Sequence, residues 1–341
     1  MIQVGLAGAT GYVGVELLRL LRGHSGVRVT ALTADSTVGR PMESLYGHLA
    51  GLVDQAPGPT TAAAFEGCDV VLMALPHGAS AALAGELVDA GIRVIDLGPD
   101  FRLKDARVFE RWYEVEHARQ DLLPLAVYGL PELYRDRIRD ARLVANPGCY
   151  PTSAALALAP LVRNGMADLD FLVLDSKSGL SGAGRKTSLF SHFCEADGSV
   201  AAYAVAGQHR HTPELEQTLS DLAGRPVRVT FTPHLVPMKR GILTTAYTRT
   251  PIQDLSPLYQ DFYRDEPFVQ VRSEALPATG HVTGSNRCQV APRFDPRTGR
   301  ATVVSVIDNL VKGAAGQAIQ NLNLMFGLDE TAGLDLVPVC P

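Results

Sequence analysis

A glycine-punctuated turn close to the N-terminus constrains the fold more than any other segment. Residues 2–7 form a short apolar run, followed by Gly8-Ala-Thr10-Gly11-Tyr12-Val13-Gly14. Apolar residues then recur at helical spacing over 12–22, at Val13, Leu17, Leu18, Leu20 and Leu21. The pattern predicts strand, tight turn, helix. Glycine lets a backbone turn sharply and approach a pyrophosphate, and the helix start offers unpaired N–H groups and a positive dipole end. The spacing is GxxGxxG rather than GxGxxG, and a glycine-rich helix start that binds nothing would look similar. Its place after the first strand predicts dinucleotide binding at Gly8, Thr10, Gly11, Tyr12, Val13 and Gly14.

The pattern continues downstream. A second strand is expected over 27–32, and a continuous apolar run at 70–75 and a mainly apolar one at 92–97 suit parallel strands buried on both faces, with a helix between them over 79–90. Alternation of this kind over about 145 residues implies a doubly wound, Rossmann-type parallel sheet. Beyond residue 149 the texture changes. A helix is expected over 151–162, then longer strands over 171–176, 227–232, 242–248 and 301–307, then a last helix over 314–326. That is an α+β pattern with a mixed sheet. The expected division is therefore a dinucleotide-binding domain, 1–148, completed by the C-terminal segment 314–341, and a catalytic and oligomerisation domain, 149–313. Gly/Ser-rich stretches at 178–184 and 279–285 read as loops between strands.

Composition removes several functional classes. The net charge is −5 with no basic block, which argues against nucleic acid as a partner. No run of 18 apolar residues is present, so no membrane span is expected, and the N-terminal segment lacks the marks of an export signal. The five cysteines, Cys68, Cys149, Cys194, Cys288 and Cys340, are odd in number and far apart. They fit neither a disulfide framework nor a zinc site, which points to a reducing, cytoplasmic compartment and no metal.

Cys149 differs from the other cysteines. In Val144-Ala-Asn-Pro-Gly-Cys149-Tyr-Pro-Thr-Ser an apolar strand ends, a turn follows and a helix begins. A thiol at a helix N-terminus has a lowered pKa, and the thiolate is the nucleophile. A small buried cysteine is the commoner fate, and it suits Cys68, beside the strand at 70–75, better. A base for Cys149 is offered by Gly207-Gln-His209-Arg210-His211-Thr-Pro-Glu214. Histidines two apart cannot share one helix face. Glu214, three residues after His211, can orient that ring, completing a nucleophile–base–orienter set. Helix capping by the same residues is an equal alternative.

Basic residues in loop settings, Arg102, Arg185 and Arg240, can grip a carboxylate or phosphate or stand solvated. After the second strand, Asp35 can accept from a ribose 2′-hydroxyl, whereas Ser36, Thr37 and Arg40 can hold a 2′-phosphate. The segment is compatible with NAD(H) and with NADP(H).

Taken together, GLAGATGYVG, ALPHG (74–78), DLGPDFR (96–102), VYGLPE (127–132), NPGCYPTS (146–153), SGLSGAGR (178–185), GQHRHTPE (207–214), HLVPMKRGI (234–242) and DNLVKGAAGQAIQN (308–321) resemble the N-acetyl-γ-glutamyl-phosphate reductase family of arginine biosynthesis. The related aspartate-β-semialdehyde dehydrogenases differ in carrying Asn at the position of Gly148 and a histidine after the VPMKRG-like segment, where this chain has Ile242. The resemblance implies a nucleophile at Cys149 and an acid/base at His211 supported by Glu214. It places the acyl phosphate at Arg102, and Ser178, Arg185 and Arg240 stand as further candidate substrate contacts. The nicotinamide end falls on the 178–185 loop, including Ser181 and Gly182, and on Asn309, with Pro76 also on the cofactor side. It implies NADP(H) held by Ser36 and Arg40, although Asp35 departs from the family and leaves NAD(H) open. The implied partner is a small acyl phosphate, and the implied assembly a homo-oligomer. Two rival readings are the same chemistry on a carrier-protein-linked acyl phosphate and a non-catalytic dinucleotide-binding redox sensor.

Overall fold

The computed structural model describes residues 1–339, so Cys340 lies outside the described residues. The chain divides into two compact units. The first comprises Met1–Pro147 and Ala314–Asp335. The second comprises Gly148–Gly313, joined again by the chain from Leu336. The closing segment thus leaves the first unit at Asp335, and the Val339 N–H donates to the Thr283 carbonyl of the second, 2.9 Å away.

The first unit holds a six-stranded parallel sheet: β1 Ile2–Ala7, β2 Val27–Thr33, β3 Val70–Met73, β4 Arg93–Asp96, β5 Ala126–Tyr128 and β6 Leu143–Ala145. Their spatial order is β2-β1-β3-β4-β6-β5. The chain reverses direction across the sheet between β1 and β3, and in doubly wound sheets such a switch point opens the ligand crevice at the strands' carboxyl ends. Val70, Val71, Leu72, Met73, Val94 and Ile95 are fully buried, as expected of strands covered on both faces. The helices Tyr12–Leu21 and Ser80–Asp89 lie within the segments expected to be helical.

The second unit holds a seven-stranded mixed sheet: β7 Val173–Gly179, β8 Ala201–Ala202, β9 Thr230–Val236, β10 Ile242–Arg249, β11 Val269–Val271, β12 Cys288–Asp295 and β13 Arg300–Ile307. Their order is β11-β12-β13-β10-β7-β9-β8. Four local expectations change, the first being that the strand expected over 227–232 is β9, shifted to Thr230–Val236. β7 runs on to Gly179, into the stretch read as loop, because β10 and β9 pair with it on both sides. β12 is an added strand, and Pro292 hides it from sequence reading. Proline is tolerated there because β11 pairs only as far as Val271↔Val290, so no partner on that side needs its missing N–H. The helix expected from residue 151 begins at Cys149 and runs to Arg163. Pro151 does not mark its start, because a first-turn residue has no intrahelical N–H partner to lose. Tyr150 to Val162 are all buried, making this the core helix of the second unit.

Among the described residues, no helix is long and apolar enough to cross a membrane, and no cluster of His, Cys, Asp or Glu could hold a metal ion.

Candidate active site

In the first unit, the turn after β1 shows why its glycines are needed. Gly8 has φ +78°, and a Cβ there would lie 2.4 Å from the Ala74 carbonyl oxygen after β3. A Cβ on Gly14 would lie 2.4 Å from the Gly8 carbonyl oxygen. Helix, turn and neighbouring strand are therefore packed backbone against backbone. Gly8 and Ala9 both donate their N–H to the Thr33 carbonyl at 3.1 and 3.0 Å. Gly11 caps the Tyr12–Leu21 helix without any side chain, so the first-turn N–H groups, Tyr12 and Val13 among them, are left for a ligand. A dinucleotide pyrophosphate fits this cradle.

The segment after β2 is held beside the turn. Thr10 Oγ1 and Thr37 Oγ1 are 3.0 Å apart, and the Tyr46 hydroxyl donates to the Thr10 carbonyl at 2.9 Å. Asp35, Ser36 and Arg40 stand exposed on that segment. Pro76 is exposed two residues after Ala74, which packs against Gly8.

Arg102 belongs to the same unit. Its Nε donates to the Asn146 carbonyl at 2.8 Å and its Nη2 to the Leu97 carbonyl at 2.7 Å. Two buried carboxylates that sequence reading missed shape its loop. Asp100 accepts the N–H groups of Gly78, Ser80 and Ala81 at the start of the Ser80–Asp89 helix. Asp96 accepts from Gly98 N–H and the Ser80 hydroxyl. Burial, reinforced by Asp100 nearby, pushes the Asp96 carboxyl up to about 7.

In the second unit, Cys149 is the first residue of its helix and half-buried. Its N-cap, Gly148, carries no capping side chain, and its carbonyl accepts both the N–H and the hydroxyl of Thr152 at 2.9 and 3.0 Å. The helix dipole and open N–H groups favour a thiolate at this position. The Gly148 N–H donates to Glu214 Oε1 at 2.8 Å. A Cβ on Gly148 would lie 2.6 Å from His211 Nε2, 2.9 Å from His211 Cε1 and 3.0 Å from Glu214 Oε2. Tyr150, on the other side of Cys149, stacks edge-on against His211 with ring centroids 5.9 Å apart. Both sequence neighbours of the thiol thus pack on one imidazole. Glycine at 148 has a steric cause: any side chain there would displace the histidine.

His211 immediately precedes the Thr212–Ala223 helix, and Glu214 in its first turn is 1% exposed. The carboxylate reaches the nucleophile turn itself, a tie that the three-residue spacing to His211 does not suggest. Gly313 also packs on this residue, where a Cβ would lie 2.8 Å from Cys149 Cβ and 3.3 Å from its Cα. It sits in a π-helical turn, Val311–Ala315, a form often found at functional sites.

The remaining candidates of this unit fall into one loop cluster and one exposed stretch. Asn309 Nδ2 donates to Ser181 Oγ at 2.9 Å, while Asn309 Oδ1 accepts the Gly241 N–H at 2.8 Å. A Cβ on Gly182 would lie 2.8 Å from Ser178 Oγ. Arg240 lies 3.6 Å from Asp308, a fully buried carboxylate that also accepts from Gly284, Leu310 and Val311. Arg185 stands on the exposed stretch beyond this cluster.

Two family models match the chain. The semialdehyde dehydrogenase NAD binding domain matches residues 3–141, and the semialdehyde dehydrogenase dimerisation domain matches residues 149–309. The chain is 55% identical to the N-acetyl-gamma-glutamyl-phosphate reductase of Symbiobacterium thermophilum, over 100% of this chain and 99% of the relative. It is 50% identical to the enzyme of that name from Desulforamulus reducens, over 100% of both. Its fold is similar to that of aspartate semialdehyde dehydrogenase II from Vibrio cholerae, solved with ASA, with a TM-score of 0.71 at 17% identity, covering 96% of this chain and 98% of that one. It is also similar to the Candida albicans aspartate semialdehyde dehydrogenase solved with NADP, with a TM-score of 0.69 at 15% identity, covering 96% and 98%.

Proposed function

The chain belongs to the N-acetyl-γ-glutamyl-phosphate reductase family, and from that premise we propose that it reduces N-acetyl-γ-glutamyl phosphate to the semialdehyde and phosphate, a step of arginine biosynthesis. The observation that carries this reading is the packing of Gly148 and Tyr150, the two neighbours of Cys149, on His211.

The Cys149 thiolate attacks the acyl phosphate carbonyl, the carbon–oxygen bond to phosphate breaks, and phosphate leaves. The product is a thioester, a far better hydride acceptor than a carboxylate. When bound at the glycine turn, the nicotinamide dinucleotide supplies the hydride. His211 delivers a proton to the resulting thiohemiacetal oxygen or its collapse product. His211 takes that proton back as the carbon–sulfur bond breaks, so the aldehyde departs and the thiolate is restored. Glu214 holds the nucleophile turn and the histidine in register. Arg102, Ser178, Arg185 and Arg240 are the proposed substrate contacts, their guanidinium groups suited to phosphate and carboxylate.

The cofactor is a nicotinamide dinucleotide, and NADP(H) is the proposed form, with Ser36 and Arg40 on the 2′-phosphate and Asp35 opposing it. Pro76, Ser181, Gly182 and Asn309 complete the proposed cofactor set. The second unit is the proposed site of homo-oligomer formation, in keeping with its match to a dimerisation domain. Cytoplasmic operation suits the chemistry, because a reducing compartment keeps the Cys149 thiol available.

The test is rapid mixing of enzyme and acyl phosphate without cofactor. A burst of about one phosphate per active chain is expected, as for an accumulating acyl-enzyme. Cys149→Ser should fold, bind cofactor and give no burst. Equal phosphate release by that variant would sink the thioester reading.

A further inference from the structure

The second histidine of the pair, His209, has no assigned role, yet it is built into the site more tightly than its exposed neighbours. Its ring lies edge-on to four others: Tyr150 at 5.5 Å, Tyr203 at 5.4 Å, Phe231 at 5.3 Å and His211 at 4.9 Å between centroids. The box is itself cross-linked, since the Tyr203 hydroxyl donates to the Tyr150 hydroxyl at 3.1 Å and the Tyr150 hydroxyl to the His234 carbonyl at 3.3 Å. The His211 backbone N–H donates to His209 Nδ1 at 3.1 Å. The segment leading into the pair is strained: Ala204 (φ 43°) and Ala206 (φ 57°) are two of only three described non-glycine residues with left-handed backbone. Strain of this kind persists where the surroundings over-determine it, commonly at functional sites.

We propose that His209 is a positioning residue for the reaction: its Nδ1 accepts the His211 N–H, and the aromatic box around it fixes where the His211 ring stands at the nucleophile turn. The inference rests on the reading of His211 as the acid/base. An accepting Nδ1 carries no proton, so the His209 proton sits on Nε2 and the ring is neutral. Protonation would destroy the bond it makes. The surroundings guard against that: burial pushes His209 down to about 3, with His211 and Arg210 adding to the effect and only Glu214 opposing it. The other faces are covered by Tyr150 from the Cys149 helix, Tyr203 from the chain after β8 and Phe231 from β9. None of these brings a carboxylate that would stabilise a charge. Of two imidazoles 4.9 Å apart, one is thus kept out of proton exchange and the other is held for it.

Two substitutions separate this role from simple packing. His209→Phe keeps a ring in the box and removes the acceptor. His209→Asn places an amide oxygen where Nδ1 stood and keeps it. His209→Phe should lower kcat by about 10- to 10²-fold, as for a catalytic group displaced by a fraction of an ångström to one ångström, with KM within about twofold. Its pH–rate profile should shift, because the protonation of His211 is read in a different setting. His209→Asn should recover most of the rate. In the unmodified enzyme, ¹⁵N NMR of the imidazoles should show His209 neutral from about pH 5 to pH 8, where an ordinary histidine titrates. The proposal is overturned if His209→Phe turns over like the unmodified enzyme, if His209→Asn fails as badly as His209→Phe, or if His209 titrates in that window. The NMR result decides the matter even where a variant does not fold. His211→Asn is the control: full activity in that variant removes the acid/base reading itself, whereas a slow His211→Asn beside a fast His209→Phe removes only the role of His209.

Discussion

Gly148→Ala should disable the enzyme while leaving it folded. The backbone there, φ −66° and ψ 152°, is extended and suits alanine. The added methyl carbon would lie 2.6 Å from His211 Nε2, 2.9 Å from its Cε1 and 3.0 Å from Glu214 Oε2. Comfortable contacts between such atoms begin near 3.5 Å, so the imidazole or the nucleophile turn must retreat by about 1 Å. A misplacement of that size costs about 10²-fold in rate, equivalent to about 2.7 kcal/mol of transition-state stabilisation. Alanine also lowers the entropy of the unfolded chain, worth about 0.4–1 kcal/mol toward stability, which offsets part of the local clash. The expected result is kcat reduced about a hundredfold with KM and the thermal midpoint little changed. Steady-state oxidation of the reduced cofactor, scanned against acyl phosphate, measures the first two, and calorimetry the third. A variant with kcat within about threefold of the unmodified enzyme would refute the claim that His211 works in contact with this turn.

Three further outcomes are expected. His211→Asn should lower kcat by about 10² to 10⁴ with little change in KM, and Glu214→Gln by less; the opposite ranking in single-turnover assays would transfer the proton role away from His211. Arg40→Ala should raise KM for NADPH and barely touch that for NADH, and an unmodified enzyme that uses NADH equally well would show that Asp35 decides the cofactor. Asp96, raised to about 7, keeps a proton in the fold that the unfolded chain releases near pH 4. Stability should therefore fall as pH rises through about 4 to 7, and Asp96→Asn, which mimics the neutral acid, should raise the unfolding midpoint more at pH 8 than at pH 5; an equal gain at both would reject the raised pKa.

What the sequence determined by itself was the local frame. An apolar run, three glycines and a helical stripe specify strand, turn and helix within about twenty residues, because short-range sterics and hydrophobic period act along the chain. The same logic placed Cys149 at a helix start and marked His209, His211 and Glu214 as a chemical cluster. The tertiary structure decided how the cluster is used. Glu214 was expected to address His211 from one turn away, and its carboxylate is tied to Gly148, 66 positions distant in the chain. Gly148 reads in sequence as a turn residue, yet its missing side chain makes room for an imidazole from another element. In sequence only the spacing to Glu214 separates His211 from His209, and an aromatic box drawn from Tyr150, Tyr203 and Phe231 sets the second apart in space. Asp96 lies in the segment expected as a buried strand and Asp100 in the loop after it, and both carboxylates are wholly buried, Asp100 on the Ser80 N–H and Asp96 on the Ser80 hydroxyl. Each of these facts rests on contacts between residues far apart in the chain, where side-chain volume and burial, not periodicity, set the outcome.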